Sequence, residues 1–285
     1  MKSLLQKIAC ERKCVCKVVG DIKNFMYFVQ SVITIWQREI IRYTRDKTRI
    51  ISTLIQPLMF LAIFGTGLKE TLAQGNFGID FIQFMYPGII AMTVMGVAFF
   101  STISTVWDRE FGFLKEILVA PVSRTAIAVG KTLGATTIAA LQGLILLILS
   151  PFIGISIHLT TALKLFLFML LLAFAISGMG FFIASLMETT ESFGLLIQMF
   201  IFPMFFLSGA FFPLTTVPKW MSVLSDINPL TYGVDALRKI ILNDQIAPEV
   251  MQRIILHPLH VNALFLIAFS VVMISAAVYA FNKRN

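Results

Sequence analysis

Six stretches of the chain, each between 19 and 32 residues long, contain no Asp, Glu, Lys or Arg. An α-helix needs roughly 20 apolar residues to cross the hydrocarbon core of a bilayer. Only 13% of the residues are charged, about half the share found in soluble domains. The sequence therefore predicts an all-α integral membrane protein with six transmembrane helices, approximately at 50–68, 86–106, 130–150, 164–186, 193–212 and 260–281.

The distribution of basic residues predicts the orientation of these spans. Eleven of the 23 Lys and Arg residues lie in the first 49 positions. If the N-terminus is cytoplasmic, 17 of the 23 fall on the cytoplasmic side and six outside, and such an excess is typical of cytoplasmic loops. We therefore expect both termini to be cytoplasmic in a multi-pass membrane protein. No basic cluster carries a nucleic-acid-binding motif, so a nucleic acid is not an expected partner.

Residues 1–27 form a basic segment that we expect to be cytoplasmic. It contains all three cysteines, Cys10, Cys14 and Cys16. Without a nearby His or a fourth Cys they make a poor zinc site, and reduced thiols are the simpler interpretation. The segment lacks the apolar run of a signal peptide, so we expect it to remain in the mature protein.

The stretch "WDREFGFLKEILVAPVSR" follows the second span. Trp107, Phe111, Leu114 and Leu118 recur at helical spacing and form one apolar stripe, and Pro121 ends the pattern. Its charges are too costly to bury in hydrocarbon, so the pattern predicts an amphipathic helix at the cytoplasmic membrane surface. The alternative is a solvated loop whose amphipathic pattern arises by chance.

A second amphipathic pattern precedes the first span and predicts a continuous helix over 28–49. Arginines recur within a narrow sector of its surface at Arg38, Arg42, Arg45 and Arg49. The opposite side is apolar and comprises Phe28, Val32, Trp36, Ile40 and Tyr43. Such a helix lies in the membrane interface with its arginines among lipid phosphates. The alternative is a face that docks a soluble partner.

The region between spans five and six holds two short amphipathic or apolar segments, of which the first is too short to cross a bilayer and too apolar for an ordinary loop. Pro203 interrupts span five, Pro213 and Pro218 follow it, and Asn228-Pro229 separates the two short segments. We predict a broken, partly re-entrant hairpin packed on protein on the outer side. A plain extracellular loop with surface helices is the alternative.

Catalytic motifs are not evident in the sequence. "GKT" at Gly130–Thr132 lacks the earlier glycine of a phosphate-binding loop, since Thr125 stands there. Gly130 and Gly134 form a G-x-x-x-G pattern that could let helices approach closely. No metal or cofactor is expected. The spans carry essentially no charge, which argues against a secondary transporter. A membrane-embedded enzyme would need clustered acids, and only Glu188 and Glu191 come close.

Three segments together resemble the membrane subunit of ATP-binding-cassette type-2 exporters, over nearly the whole chain after about residue 28. They are "WQREIIRYTRDKTRIISTLIQPLMFLAIFG", "WDREFGFLKEILVAPVSRTAIAVGK" and "FFLSGAFFPLTTVPKWMSVLSDINPLTYGVDALR". The resemblance implies a transmembrane domain over 28–285 that lies in a bacterial inner membrane and has no enzymatic activity of its own. It implies that ATP is hydrolysed by a separate cytoplasmic ATPase subunit, present in two copies, and that two permease copies pair as a homodimer.

The resemblance also implies roles for particular residues. A coupling helix that docks on the ATPase would include Asp108, Arg109, Glu110, Phe111, Lys115 and Glu116. The connecting helix along the inner face would carry Trp36, Arg38, Arg42, Arg45 and Arg49. The outer re-entrant region, which would cap the translocation path, would include Ser208, Gly209, Pro213, Pro218, Asn228, Pro229 and Tyr232.

The substrate implied by the resemblance is amphiphilic or apolar, of the drug, lipid or lipo-oligosaccharide type. A polysaccharide exporter of the same family is an alternative. The sequence therefore predicts an export permease that a second chain drives.

Overall fold

The structure is a computed structural model that describes residues 25–67, 81–113, 119, 122–155, 157–214, 217–242 and 255–284. Helices dominate these residues, and none of them lies in a β-strand. The helices are α1 (25–45), α2 (Lys47–Gly67), α3 (Phe81–Ser101), α4 (Ile103–Glu110), α5 (Arg124–Leu149), α6 (Leu159–Leu186), α7 (Thr190–Phe206), α8 (Lys219–Ile227), α9 (Pro229–Leu242) and α10 (Leu259–Arg284). A 3-10 turn, Ser150–Ile153, follows α5.

Four of these helical stretches are long and apolar enough to cross a membrane. They are Ile82–Glu110, Arg124–Ile153, Leu159–Leu186 and Leu259–Phe281. The all-helical prediction is confirmed for the described residues, and four of the predicted spans lie within these stretches. Helix α2 covers the predicted first span except its last residue, and α7 covers the start of the fifth. The six-span topology itself stays a prediction.

Helix α7 is shorter than the fifth span that the sequence predicts. It has 17 residues and ends at Phe206, whereas the prediction ran to 212. The chain turns after Phe206, and Gly209 has a φ of 73°, in the left-handed region where glycine is favoured. Pro203 lies inside the helix rather than ending it.

Helix α5 begins where α6 and α10 end, and the bundle has two distinct ends. At one end Ile127 near the start of α5 packs with Phe181 near the end of α6 and Phe281 at the end of α10. We call this the charged end, because Asp108 and Lys131 lie there. At the other end, the hairpin end, α9 packs on α3, α6 and α10.

The helix predicted over 28–49 is broken in the structure. Helix α1 ends at 45, and the Asp46 side chain accepts a hydrogen bond of 3.0 Å from the Arg49 amide in the first turn of α2. Aspartate at this position caps a new helix, which explains the break. The prediction of a continuous helix is therefore wrong, and Arg49 belongs to α2.

The apolar side of α1 packs on protein. Gly130 and Gly134 of α5 bring the two helices close, because a Cβ atom on Gly130 would lie 2.9 Å from the Cβ of Ile35. A Cβ atom on Gly134 would lie 2.8 Å from that of Glu39. Tyr43 is buried and donates a 2.8 Å hydrogen bond to Gln142. The expectation that this side lies among acyl chains is therefore wrong at these positions, and the G-x-x-x-G pattern is a packing surface.

We predict that Gly130→Ala destabilises the protein by about 1–3 kcal/mol, because the added methyl crowds the backbone carbonyl of Val32 at 3.1 Å as well as Ile35. Gly194 is a matched control: it is also helical, and nothing lies within 4 Å of an added Cβ. Gly194→Ala should be neutral or stabilise by up to about 1 kcal/mol. Thermal unfolding in detergent measures both. Equal midpoints for the two variants would contradict this packing.

Candidate functional site at the charged end

A buried ion-paired cluster joins three helices at the charged end. Asp108 of α4 accepts a short hydrogen bond from Lys131 of α5 through Oδ2. The same oxygen accepts a 2.6 Å hydrogen bond from Arg38 of α1. Glu39 lies 3.9 Å from the Lys131 ammonium and 3.5 Å from the Arg38 guanidinium. Two acids and two bases therefore balance each other between α1, α4 and α5.

The cluster is largely closed to solvent. Asp108 is 6% exposed, Lys131 is 3% exposed and Glu39 is 5% exposed. Buried charges are retained only when paired, so each member requires the others to stay in place. The arrangement makes the relative position of three helices depend on one carboxylate.

The two residues after Asp108 hold the turn between α6 and α7. Arg109 donates to the carbonyls of Ser185 at 3.0 Å and Met187 at 2.6 Å. The Glu110 carboxylate accepts a 3.0 Å hydrogen bond from the amide of Thr190, at the start of α7. The end of α4 therefore links to four other helices: α6 and α7 through Arg109 and Glu110, and α1 and α5 through the ion-paired cluster.

The predicted apolar helix from Trp107 to Leu118 does not form as one piece. Helix α4 ends at Glu110, and Gly112 has a φ of 79°, which stops the helix. Trp107 lies in α4. Phe111 directly follows the end of this helix and is 79% exposed. Residues 114–118 lie outside the described residues, and with them Lys115 and Glu116.

The arginines of the predicted connecting helix have different surroundings. The Arg42 guanidinium lies 4.5 Å from the ring centroid of Trp107, and Arg45 is exposed. The Arg49 guanidinium lies 5.7 Å from the ring of Tyr43, whose pKa burial raises above its ordinary value. Trp36 donates a 3.0 Å hydrogen bond to Thr137 of α5.

The residues predicted for the outer region gather at the hairpin end. Asn228, between α8 and α9, donates to the Met204 carbonyl at 2.6 Å and accepts from the Leu230 amide at 3.0 Å. Tyr232 stacks on Phe265 at 3.8 Å between ring centroids. The remaining members hold turns or helix starts: Ser208, Gly209, Pro213, Pro218 and Pro229. Two short helices separated by Asn228 form there. Helix α9 is packed on protein, whereas α8 buries only Ser225, and the depth of both helices in a bilayer stays a prediction.

Two buried charges at the hairpin end were missed by sequence analysis. Arg238 of α9 donates to the Gly209 carbonyl at 2.8 Å and lies 4.0 Å from the ring centroid of Phe84. Burial lowers the pKa of Arg238 to about 10, so it stays charged at neutral pH. Asp235 accepts hydrogen bonds from the His257 amide and the Asn262 side chain. The only signal in the sequence was that Asp235 and Arg238 lie three residues apart in an amphipathic segment.

Glu39 and Lys131 were also missed as members of the site. The sequence pattern placed Lys131 at the cytoplasmic end of the predicted span 130–150, whereas α5 already begins at Arg124 and buries Lys131 within the helix. Within the described residues, no group of three or more His, Cys, Asp and Glu side chains could hold a metal ion.

The fold is that of a multi-pass membrane protein whose charges collect at the helix ends. The sequence matches the ABC-2 type transporter family over residues 30–242. The match covers well over half of the chain, and the chain belongs to this family of transport permeases.

Individual relatives are also named as permeases. The chain is 31% identical over 215 residues to "Putative transport permease ycf38" of Cyanophora paradoxa, covering 74% of each chain. It is 27% identical over 221 residues to "Inner membrane transport permease YadH" of Escherichia coli K12, covering 75% of this chain and 83% of the relative. It is 32% identical over 177 residues to "Probable multidrug ABC transporter permease YbhR" of the same organism, covering 59% of this chain and 46% of the relative.

We predict that Asp108→Asn destabilises the protein by about 3–5 kcal/mol, because it leaves the buried Lys131 without its short-range counter-charge. The double variant Asp108→Leu with Lys131→Met should recover part of the loss, since it removes both charges. Glu191→Gln, at an exposed acid, is the control and should change stability by less than about 1 kcal/mol. Unfolding midpoints of purified protein measure all three. A single Asp108 variant as stable as the control would contradict the cluster's role.

Proposed function

We propose that this chain is the permease subunit of an ATP-driven exporter, powered by a separate cytoplasmic ATPase subunit that is present in two copies. Membership of the ABC-2 family supports this proposal. The observation that carries it is the construction of the charged end. Phe111 is 79% exposed, and it directly follows Arg109 and Glu110, which hold the turn between α6 and α7.

A partner that binds the segment after Glu110 would therefore move several helices together. Asp108 transmits the displacement to α5 and α1 through Lys131 and Arg38. Arg109 and Glu110 transmit it to α6 and α7. Within this proposal Asp108 is an internal pivot rather than a surface that touches the ATPase, while Phe111, Lys115 and Glu116 form the contact.

The proposed topology has six spans with both termini in the cytoplasm of a bacterial inner membrane. The excess of basic residues at the charged end supports this orientation. The relative YadH is named an inner membrane transport permease. The hairpin end then faces outward, and α8 and α9 cap the translocation path.

The proposed substrate is amphiphilic or apolar, of the drug, lipid or lipo-oligosaccharide type. The name of the relative YbhR supports a multidrug substrate. A secondary transporter needs an ionisable group that a moving proton or ion can reach. The buried acid Asp108 is instead neutralised by Lys131 and Arg38 at a helix end.

A second copy of the chain completes the proposed transporter as a homodimer. Helix α2 exposes Ile51, Ile55, Met59 and Ile63, which share one face at a spacing of four residues. Helix α7 exposes Met199, Phe202 and Phe206. The two helices approach each other near Phe60, whose ring lies 6.2 Å from that of Phe205, so their exposed faces lie close together. This pair of faces is the proposed contact between copies.

The coupling proposal predicts that Phe111→Asp abolishes co-purification of the ATPase while the permease still inserts into the membrane. The substitution places a charge in an apolar contact but removes no buried packing, because the side chain is exposed. Phe152→Asp is the control: Phe152 is 86% exposed at the hairpin end and should leave co-purification unchanged. Equal recovery of the ATPase with both variants would refute docking at Phe111.

The dimer proposal predicts disulfide cross-linking between copies that carry Met59→Cys, after Cys10, Cys14 and Cys16 are replaced by Ser. Leu167→Cys is the control, since Leu167 is 64% exposed on α6, away from the proposed contact. Oxidation in native membranes should give a dimer band for the Met59 variant alone. A band of equal intensity for both variants would indicate random collision.

A further inference from the structure

A cavity with two lysines lies at the hairpin end, outside every site described above. It measures about 370 Å³ and lies between the start of α6, the end of α9 and the start of α10. Its polar lining is Lys164, Lys239, Thr160 and Thr161. Its apolar lining is Phe168, Ile240 and Leu259. The cavity therefore combines two ammonium groups and two hydroxyls with an apolar wall.

Neither lysine forms an ion pair within the part of the chain that the structure describes. The ion pairs found there all involve Asp108 or Glu39 at the opposite end. A pair of like charges that share one cavity repel each other, and a bound anion relieves that repulsion. The cavity is therefore complementary to a negatively charged group.

The start of α6 adds hydrogen-bond donors to the same cavity. Thr160 and Thr161 belong to the first turn of α6, whose N-cap residue His158 forms no side-chain capping hydrogen bond. The amides of a first helical turn have no partner within the helix and favour an anion. These donors reinforce the charge of the lysines.

The surface beside the cavity indicates what kind of anion fits. Helix α6 carries an exposed apolar stripe on the face next to the one that bears Lys164. The stripe comprises Leu159, Leu163 and Leu167, which are 87%, 71% and 64% exposed. Helix α10, which lines the cavity through Leu259, also exposes an apolar residue, since Leu264 is 68% exposed. In a membrane protein such stripes contact acyl chains. A ligand whose anionic head enters the cavity can therefore extend its chains along these helices.

We propose that this cavity binds the phosphate headgroup of an anionic phospholipid from the leaflet at the hairpin end. Lys164 and Lys239 pair with the phosphate, and the threonine hydroxyls and first-turn amides donate hydrogen bonds to it. The lipid bridges α6, α9 and α10 and so holds α9 against the bundle. This site is separate from the charged end and does not depend on the proposed ATPase contact.

Native mass spectrometry of the full chain from micelles with equal phosphatidylglycerol and phosphatidylcholine tests the proposal. The wild type should retain phosphatidylglycerol preferentially. Lys164→Gln with Lys239→Gln should weaken its retention by roughly fivefold for each lysine, with phosphatidylcholine unchanged. Lys219→Gln removes the same charge at the exposed start of α8 and should keep the wild-type preference. Unchanged retention in the double variant would overturn the proposal.

A labelling experiment separates lipid from a soluble anion and does not depend on lysine variants. Thr161→Cys, in the Cys10, Cys14 and Cys16 to Ser background, reports access to the cavity. Phosphatidylglycerol in nanodiscs should slow its reaction with a water-soluble maleimide relative to phosphatidylcholine. The control Lys219→Cys should react at the same rate in phosphatidylglycerol and phosphatidylcholine nanodiscs. Protection of Thr161→Cys by inorganic phosphate or glycerol 3-phosphate to the same degree would overturn the lipid assignment, as would no protection by phosphatidylglycerol.

Discussion

The buried carboxylate of Asp108 is the constraint on which the charged end depends. One of its oxygens forms ion pairs with both Lys131 and Arg38. The first pair constrains the position of α5 relative to α4, and the second constrains the position of α1. Loss of one partner from a buried pair costs far more than an exposed pair contributes. The close approach of α1 also requires the absence of side chains at Gly130 and Gly134. Charge and small residues together fix α1 on the bundle.

The two ends of the bundle satisfy their buried charges in different ways. At the charged end, acids meet bases across helices. At the hairpin end Arg238 meets backbone carbonyls and Asp235 meets backbone amides and an amide side chain. The first arrangement couples helices to one another, whereas the second fixes a turn and a short helix in place. Long apolar helices with closely packed side chains join the two ends.

The helices were predictable from the sequence because lipid and protein interiors both require apolar residues in long runs, as α6 illustrates. Their ends were less predictable, since the capping role of Asp46 and the left-handed Gly112 both depend on local backbone geometry. The ion pairs were not predictable at all. Lys131 and Asp108 are 23 residues apart on different helices, and only tertiary packing makes them neighbours. For the same reason Asp108 was expected on a partner-facing surface and lies inside.

The proposed ATPase can drive the charged end only if that end faces the cytoplasm. Val119 is 88% exposed and lies in the segment that would meet that partner. A single cysteine introduced by Val119→Cys, in a background without Cys10, Cys14 and Cys16, can be labelled with a membrane-impermeant maleimide. The account predicts labelling in inside-out vesicles and none in intact spheroplasts. Labelling of intact spheroplasts would contradict it, because the ATPase could then not reach the charged end.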